Sequence, residues 1–140
     1  MSVQTKPIIL GDRAKALGSY PHGRIVGDLI FLCGTSSRRP DNSHDGVIIH
    51  DDGRVELDIE AQTKAVIDNM RRYLQAAGAD LEHLVDLTTF LVSMDDFAGY
   101  NRVYNTYFNA ETGPTRTTVA VHQLPHPNLL IEIKGIARLP

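Results

Sequence analysis

Leu129-Leu130-Ile131-Glu132-Ile133-Lys134-Gly135-Ile136-Ala137, and upstream of it Gly113-Pro114-Thr115-Arg116-Thr117-Thr118-Val119-Ala120-Val121, decide how this chain is read. Both stretches are rich in β-branched residues and read as strands, in which successive side chains point to opposite faces. Glu132 therefore lies opposite Ile131 and Ile133, while Arg116 shares a face with Thr118 and Ala120. The pattern predicts a sheet with one apolar face and one face carrying a guanidinium and a carboxylate. An arginine fork is shaped to hold a carboxylate by two hydrogen bonds, and a nearby Glu can move a proton to or from water. A structural ion pair between neighbouring strands would give the same pattern, and both readings stand at this point.

Upstream, Arg24 to Thr35 reads as two short strands or one bent strand, with Gly27-Asp28 at the turn and Leu29 to Cys33 apolar. Ser36 to Gly46 is a polar loop, and Val47-Ile48-Ile49 and Val55-Glu56-Leu57 flank a turn at His50 to Gly53. Asp58 is placed to cap a helix whose apolar residues Ala61, Ala65, Val66, Met70, Tyr73, Leu74 and Ala77 recur at helical spacing, with Gly78 at its end. Leu84 to Val92 returns to strand character. Ser93-Met94-Asp95-Asp96 has the form of a capping box for a second helix, striped by Phe97, Tyr100, Val103, Tyr104 and Tyr107. Each helix has one apolar stripe, so both are expected on one face of a mixed α+β sheet. The other face then lacks cover from within the chain, which favours an oligomer.

With 140 residues the chain makes one domain, spanning 1–140. Its formal net charge of -3 gives no support for a nucleic-acid partner. No apolar run approaches the roughly 20 residues that span a bilayer. The N-terminus lacks the form of a signal peptide, and the single cysteine allows no intrachain disulfide, which together suit a reducing cytoplasm. No phosphate loop or dinucleotide fingerprint is present, and nothing asks for a cofactor. His122 and His126 are four apart, but Pro125 and Pro127 exclude the regular helix that would align them on a metal, so no metal is expected. His44, His50 and His83 read as surface residues. Cys33 reads as a small buried residue rather than a nucleophile.

This layout, with Pro-Thr-Arg-Thr-Thr before one strand and Ile-Glu-Ile on the last, resembles the RidA/YjgF family of imine and enamine deaminases. The resemblance takes in Gly18-Ser19-Tyr20-Pro21-His22, Leu32-Cys33-Gly34-Thr35, Asp96-Phe97 and the C-terminal pair. Within the family the chain looks most like the 2-aminomuconate deaminase branch, on the segment Gly34 to Asn42. The resemblance implies a chorismate-mutase-like fold, assembled as a homotrimer, or as paired trimers in a hexamer, with sites in the clefts between subunits. It implies that Arg116 clamps the carboxylate of a 2-imino acid and that Glu132 positions the attacking water. Tyr20 and the backbone near Gly34 would line the pocket, with Thr35, Phe90 and Thr118 in its wall. The chain departs from the commonest pattern at Thr118, where many members carry Cys, and at Gly18 to His22 in place of Gly-Pro-Tyr-Ser. His22 stands beside Tyr20, and pocket wall and surface loop are both open to it.

The branch implies hydrolytic deamination of 2-aminomuconate to 2-oxohex-3-enedioate (4-oxalocrotonate) and ammonia in aromatic-compound catabolism. Such a small dicarboxylate has a second charged end, for which the loop offers Arg38 and Arg39, with Arg24 and His22 in reserve. Two alternatives are a general 2-imino acid deaminase of the RidA type and a non-enzymatic trimer that binds small carboxylates or proteins. The pairing of Arg116 with Glu132 counts against the last, because binding alone needs only the cation.

Overall fold

A computed structural model describes residues 2–140. Eight strands and two helices follow the order β1 (Thr5–Ile8), β2 (Gly23–Val26), β3 (Leu29–Leu32), β4 (Val47–Ile49), β5 (Val55–Leu57), α1 (Ile59–Ala76), β6 (Leu84–Leu91), α2 (Phe97–Tyr107), β7 (Thr115–Ala120) and β8 (Ile131–Arg138). Six strands form one mixed sheet in the order β1-β2-β3-β8-β6-β7, in which only β6 and β7 run parallel. The hairpin β4-β5 stands apart, as the turn at His50 to Gly53 predicts. The architecture is α+β, as the sequence indicates.

Both helices lie on one face. Ile30, Leu32, Leu87, Leu91, Ile131 and Ile133 point from the sheet into a core shared with Val66, Ile67, Met70 and Leu74 of α1 and with Tyr100 of α2. Asp58 caps α1 by accepting from the backbone N–H groups of Glu60 and Ala61. At the other end Gly78 takes φ +79°, the left-handed conformation that glycine adopts without a Cβ clash.

Two elements differ from the sequence reading. β1 lies outside it, because Thr5-Lys6-Pro7 is polar and contains a proline. Such a strand is tolerated at a sheet edge, and β1 is an edge, with Pro7 opposite Arg24. The second helix starts later than the capping box suggests. Ser93 accepts from Asp95 N–H to close a 3₁₀ turn over Met94–Asp96, and α2 begins at Phe97 with no side-chain cap on Asp96.

The sheet's other face is open. Leu29 and Phe31 of β3 and Val119 of β7 are each about two-fifths exposed on it. Glu132 lies on this face, since Ile131 and Ile133 beside it are fully buried under the helices. Phe90 is its register partner on β6. Arg116 does not share this face, which corrects the expectation that one face carries both charges. Its register partner is Leu87, a core residue, so Arg116 points to the helix side. β6 also separates β7 from β8, so the two residues are not on neighbouring strands and the ion-pair reading fails for a single chain.

Candidate active site

The two predicted charges stand apart, one on each face of the sheet. On the helix side, the Arg116 guanidinium stacks over the rings of Tyr104 and Tyr100, at 4.6 and 4.9 Å from their centroids, with Phe97 at 5.7 Å. Its Nη1 donates to Asn101 Oδ1 at 2.8 Å. The aromatic stripe of α2 thus serves as core packing and as a rack for the cation. Among the described residues no carboxylate pairs with Arg116, which leaves the rest of its fork open for an anion. Thr118 lies on the same side, opposite Thr89; its Oγ1 is buried without a hydrogen-bond partner, near the Tyr100 hydroxyl that bonds Thr89 at 2.6 Å.

On the open side, Glu132 sits in a cavity of about 360 Å³ with Tyr20, Gly34, Arg38, His44 and His126 among its walls. Burial holds the Glu132 carboxyl above the ordinary carboxylate range. Gly34 is a close-approach glycine: a Cβ there would lie 2.7 Å from Glu132 Oε1. Phe90 flanks the site through its pairing with Glu132.

Two loops build this cavity, and α1 holds both. Gln62, fully buried, donates from Nε2 to Asn128 O at 2.9 Å and accepts at Oε1 from Leu130 N–H at 2.9 Å. Asn69 donates from Nδ2 to Ser36 O at 3.0 Å. Neither residue stands out in the sequence, because a polar side chain between apolar helix positions usually marks a solvated face.

The remaining predicted residues divide. Arg38 reaches the cavity, donating to Lys15 O and to Asn42 Oδ1. Arg39 does not: its guanidinium is bound to Asp45 at 2.6 Å and to Ser43 at 3.2 Å. His22 is not on a surface loop; it lines a small cavity beside Tyr20, Gly34 and Thr35. It is buried, with Nδ1 accepting from Leu10 N–H and Nε2 donating to Ala14 O, so it pins the segment that carries Tyr20. Thr35 is buried too, and its hydroxyl donates to Cys33 O. The Cys33 thiol is pushed up by burial, which keeps it protonated. His44 and His126, read from the sequence as a surface residue and a failed metal ligand, stand together in the cavity with rings 4.5 Å apart. No group of three or more His, Cys, Asp or Glu side chains is arranged to hold a metal among the described residues.

Both the sequence and the fold have known relatives. The family model described as Endoribonuclease L-PSP covers residues 10–139. A RutC family protein of Pyrococcus abyssi is 38% identical over 133 residues, 94% of this chain and 96% of that protein. The chain belongs to the RidA/YjgF family. Other members resemble it across their whole length. TdcF of Escherichia coli, named as a candidate reactive intermediate deaminase, is 31% identical over 94% of this chain and 96% of its own. Its crystal structure, with bound serine, has a TM-score of 0.78 at 27% identity and covers 96% of this chain and 99% of TdcF. The yeast protein YEO7 reaches a TM-score of 0.84 at 33% identity, covering 98% of this chain and 100% of its own. The RidA fold thus extends over nearly all of this chain. Among the described residues no helix is long and apolar enough to cross a membrane.

Proposed function

We propose that this RidA-family chain hydrolyses 2-imino acids and their enamine tautomers to 2-oxo acids and ammonia, at sites shared between copies of the chain. The observation that carries the reading is the division of the two charged groups: an anchored guanidinium with no carboxylate partner among the described residues on one face, and a half-buried carboxyl, its pKa raised by burial, in a cavity on the other. One substrate can meet both groups only if the open face of one copy receives the Arg116 edge of another. The apolar Leu29, Phe31 and Val119 on the open face favour such an assembly, and a closed ring, as in a trimer, would use each half-site once.

In this site Arg116 binds the carboxylate next to the reacting carbon while an enamine takes up a proton at its β-carbon and gives one up from nitrogen to become the imine. Water then adds to the imine carbon. Glu132 passes one proton of that water to nitrogen as the C–O bond forms, and the hydroxyl proton follows as the C–N bond breaks, so both protons of the water end on ammonia and its oxygen on the 2-oxo acid. No other group is needed for the balance. The net charge of -3 and the size of the cavity favour a small molecule over the RNA that the family's description suggests.

A narrower reading has 2-aminomuconate as the substrate, giving 2-oxohex-3-enedioate. Arg38 in the Glu132 cavity favours it, by offering a cation for the second carboxylate, whereas Arg39 is committed to Asp45. The test is ammonia release from short 2-imino acids generated in place by an amino acid oxidase, with 2-aminomuconate generated alongside. The broad reading predicts release well above spontaneous hydrolysis for the short imino acids. Rates equal to the uncatalysed ones for every substrate would overturn it.

A further inference from the structure

The Glu132 cavity has a chemically distinct second wall. The loop after β3 folds back so that Arg38 and His44 form an isolated antiparallel bridge. This turns the His44 ring onto His126, which comes from the loop before β8, with centroids 4.5 Å apart and planes tilted by 43°. His126 Nδ1 accepts from Asn128 N–H at 3.1 Å. The neutral ring therefore carries its proton on Nε2, which no group of the described protein engages. His44 makes no side-chain hydrogen bond among the described residues. The cavity thus holds a carboxyl on Glu132 and, around it, one fixed cation and two imidazoles free to donate.

Packing, charge and position agree on what such a wall is for. Charging two imidazoles in contact beside arginines is unfavourable, and burial, His126, Arg38 and Arg39 all hold the His44 pKa down. An anion lodged in the cavity against the edges of both rings accepts from each and offsets that cost. The anchors on α1 keep the two loops apart at a fixed width: Asn69 holds the Arg38 loop and Gln62 holds the His126 loop.

We propose that His44 and His126 form an anion clamp that selects imino acids whose side chain ends in a carboxylate. Arg116 of a second copy takes the carboxylate beside the reacting carbon, and the clamp takes the distal one. Binding of the distal group is accompanied by proton uptake on His44, opposed by burial, His126, Arg38 and Arg39 and unassisted by Asp45, which is tied to Arg39. The proposal rests on the deaminase reading for its substrate class, but its test does not require turnover.

The test uses two unreactive probes, glutarate and butyrate, titrated calorimetrically into the assembled protein and into His44→Gln and His126→Gln. Each substitution keeps a hydrogen-bonding side chain of similar reach, so melting temperatures should be retained, and that is checked first. The clamp predicts roughly tenfold or greater loss of glutarate affinity in each variant, with butyrate affinity unchanged. It also predicts that glutarate, unlike butyrate, binds the wild-type protein more tightly as pH falls from 8 to 6 and takes up protons from the buffer. Equal weakening of both probes, no weakening of either, or a wild-type preference for butyrate would overturn the clamp. Deamination of short imino acids without any preference for acidic side chains would sink the clamp and leave the deaminase standing. Selective glutarate binding without deamination would do the reverse.

Discussion

Arg116 is held by aromatic faces and one amide, and Glu132 by burial, so each has a distinct signature on substitution. In a single chain, burial alone acts on Glu132 and raises its pKa. A guanidinium brought in by a second copy opposes that rise. Arg116→Met should therefore cut kcat/KM at least about a hundredfold, the usual scale for losing a charge-stabilising donor, and move the Glu132 midpoint upward in carboxyl-resolved NMR. An unchanged midpoint would place the two groups in separate sites. The sign also reaches stability. A carboxyl whose folded pKa is raised penalises the fold only when ionised, so the penalty is absent below the unfolded value of about 4.3 and complete above the folded one. The Arg116→Met protein should lose melting temperature as pH rises through that window, and adding Glu132→Gln should restore it. Gly34→Ala tests the approach of backbone to carboxyl, since its Cβ would lie 2.7 Å from Oε1. The fold should survive while kcat falls at least about tenfold through displacement of the proton-transfer group; a normal kcat would show that Glu132 has room to spare.

The elements differ in how plainly the sequence announces them. α1 is legible from end to end because its cap, its apolar spacing and its terminal glycine agree. β1 is not, because its short polar run earns its place only by pairing with β2 at an edge. The two charged residues are legible as out-of-place charges, but alternation along a strand gives two faces without saying which one the helices cover. On β7 the neighbours of Arg116 are too small to reveal that Tyr100 and Tyr104 lie above it. His44 and His126 are illegible for another reason: they come from two loops, 82 positions apart in the numbering, and only tertiary folding joins them. Gln62 shows how much one helix position can support. Gln62→Leu would leave Leu130 N–H and Asn128 O without their partner in a buried setting, at a cost of about 1–3 kcal/mol for each group left unsatisfied. Urea unfolding should show a lower midpoint with an unchanged slope, and a stability equal to wild type would mean that water replaces the amide.

At the scale of the whole molecule, the account depends on one geometrical fact: the guanidinium and the carboxyl sit on opposite faces of the same sheet. Under the proposed function a single chain holds two halves of different sites, and its exposed apolar face is the surface on which a second copy would complete them. Isolated chains, if they could be held apart, would bind carboxylates weakly and turn nothing over. The most direct test mixes two inactive proteins, Arg116→Ala and Glu132→Ala, by co-expression or by unfolding and refolding together. In a ring where each site takes Arg116 from one copy and Glu132 from the next, random mixing in equal amounts gives about a quarter of the sites both native groups. Deaminase activity should therefore return to about a quarter of the wild-type level, although neither parent has any. Mixed assemblies that form and remain as inactive as their parents would contradict the shared site.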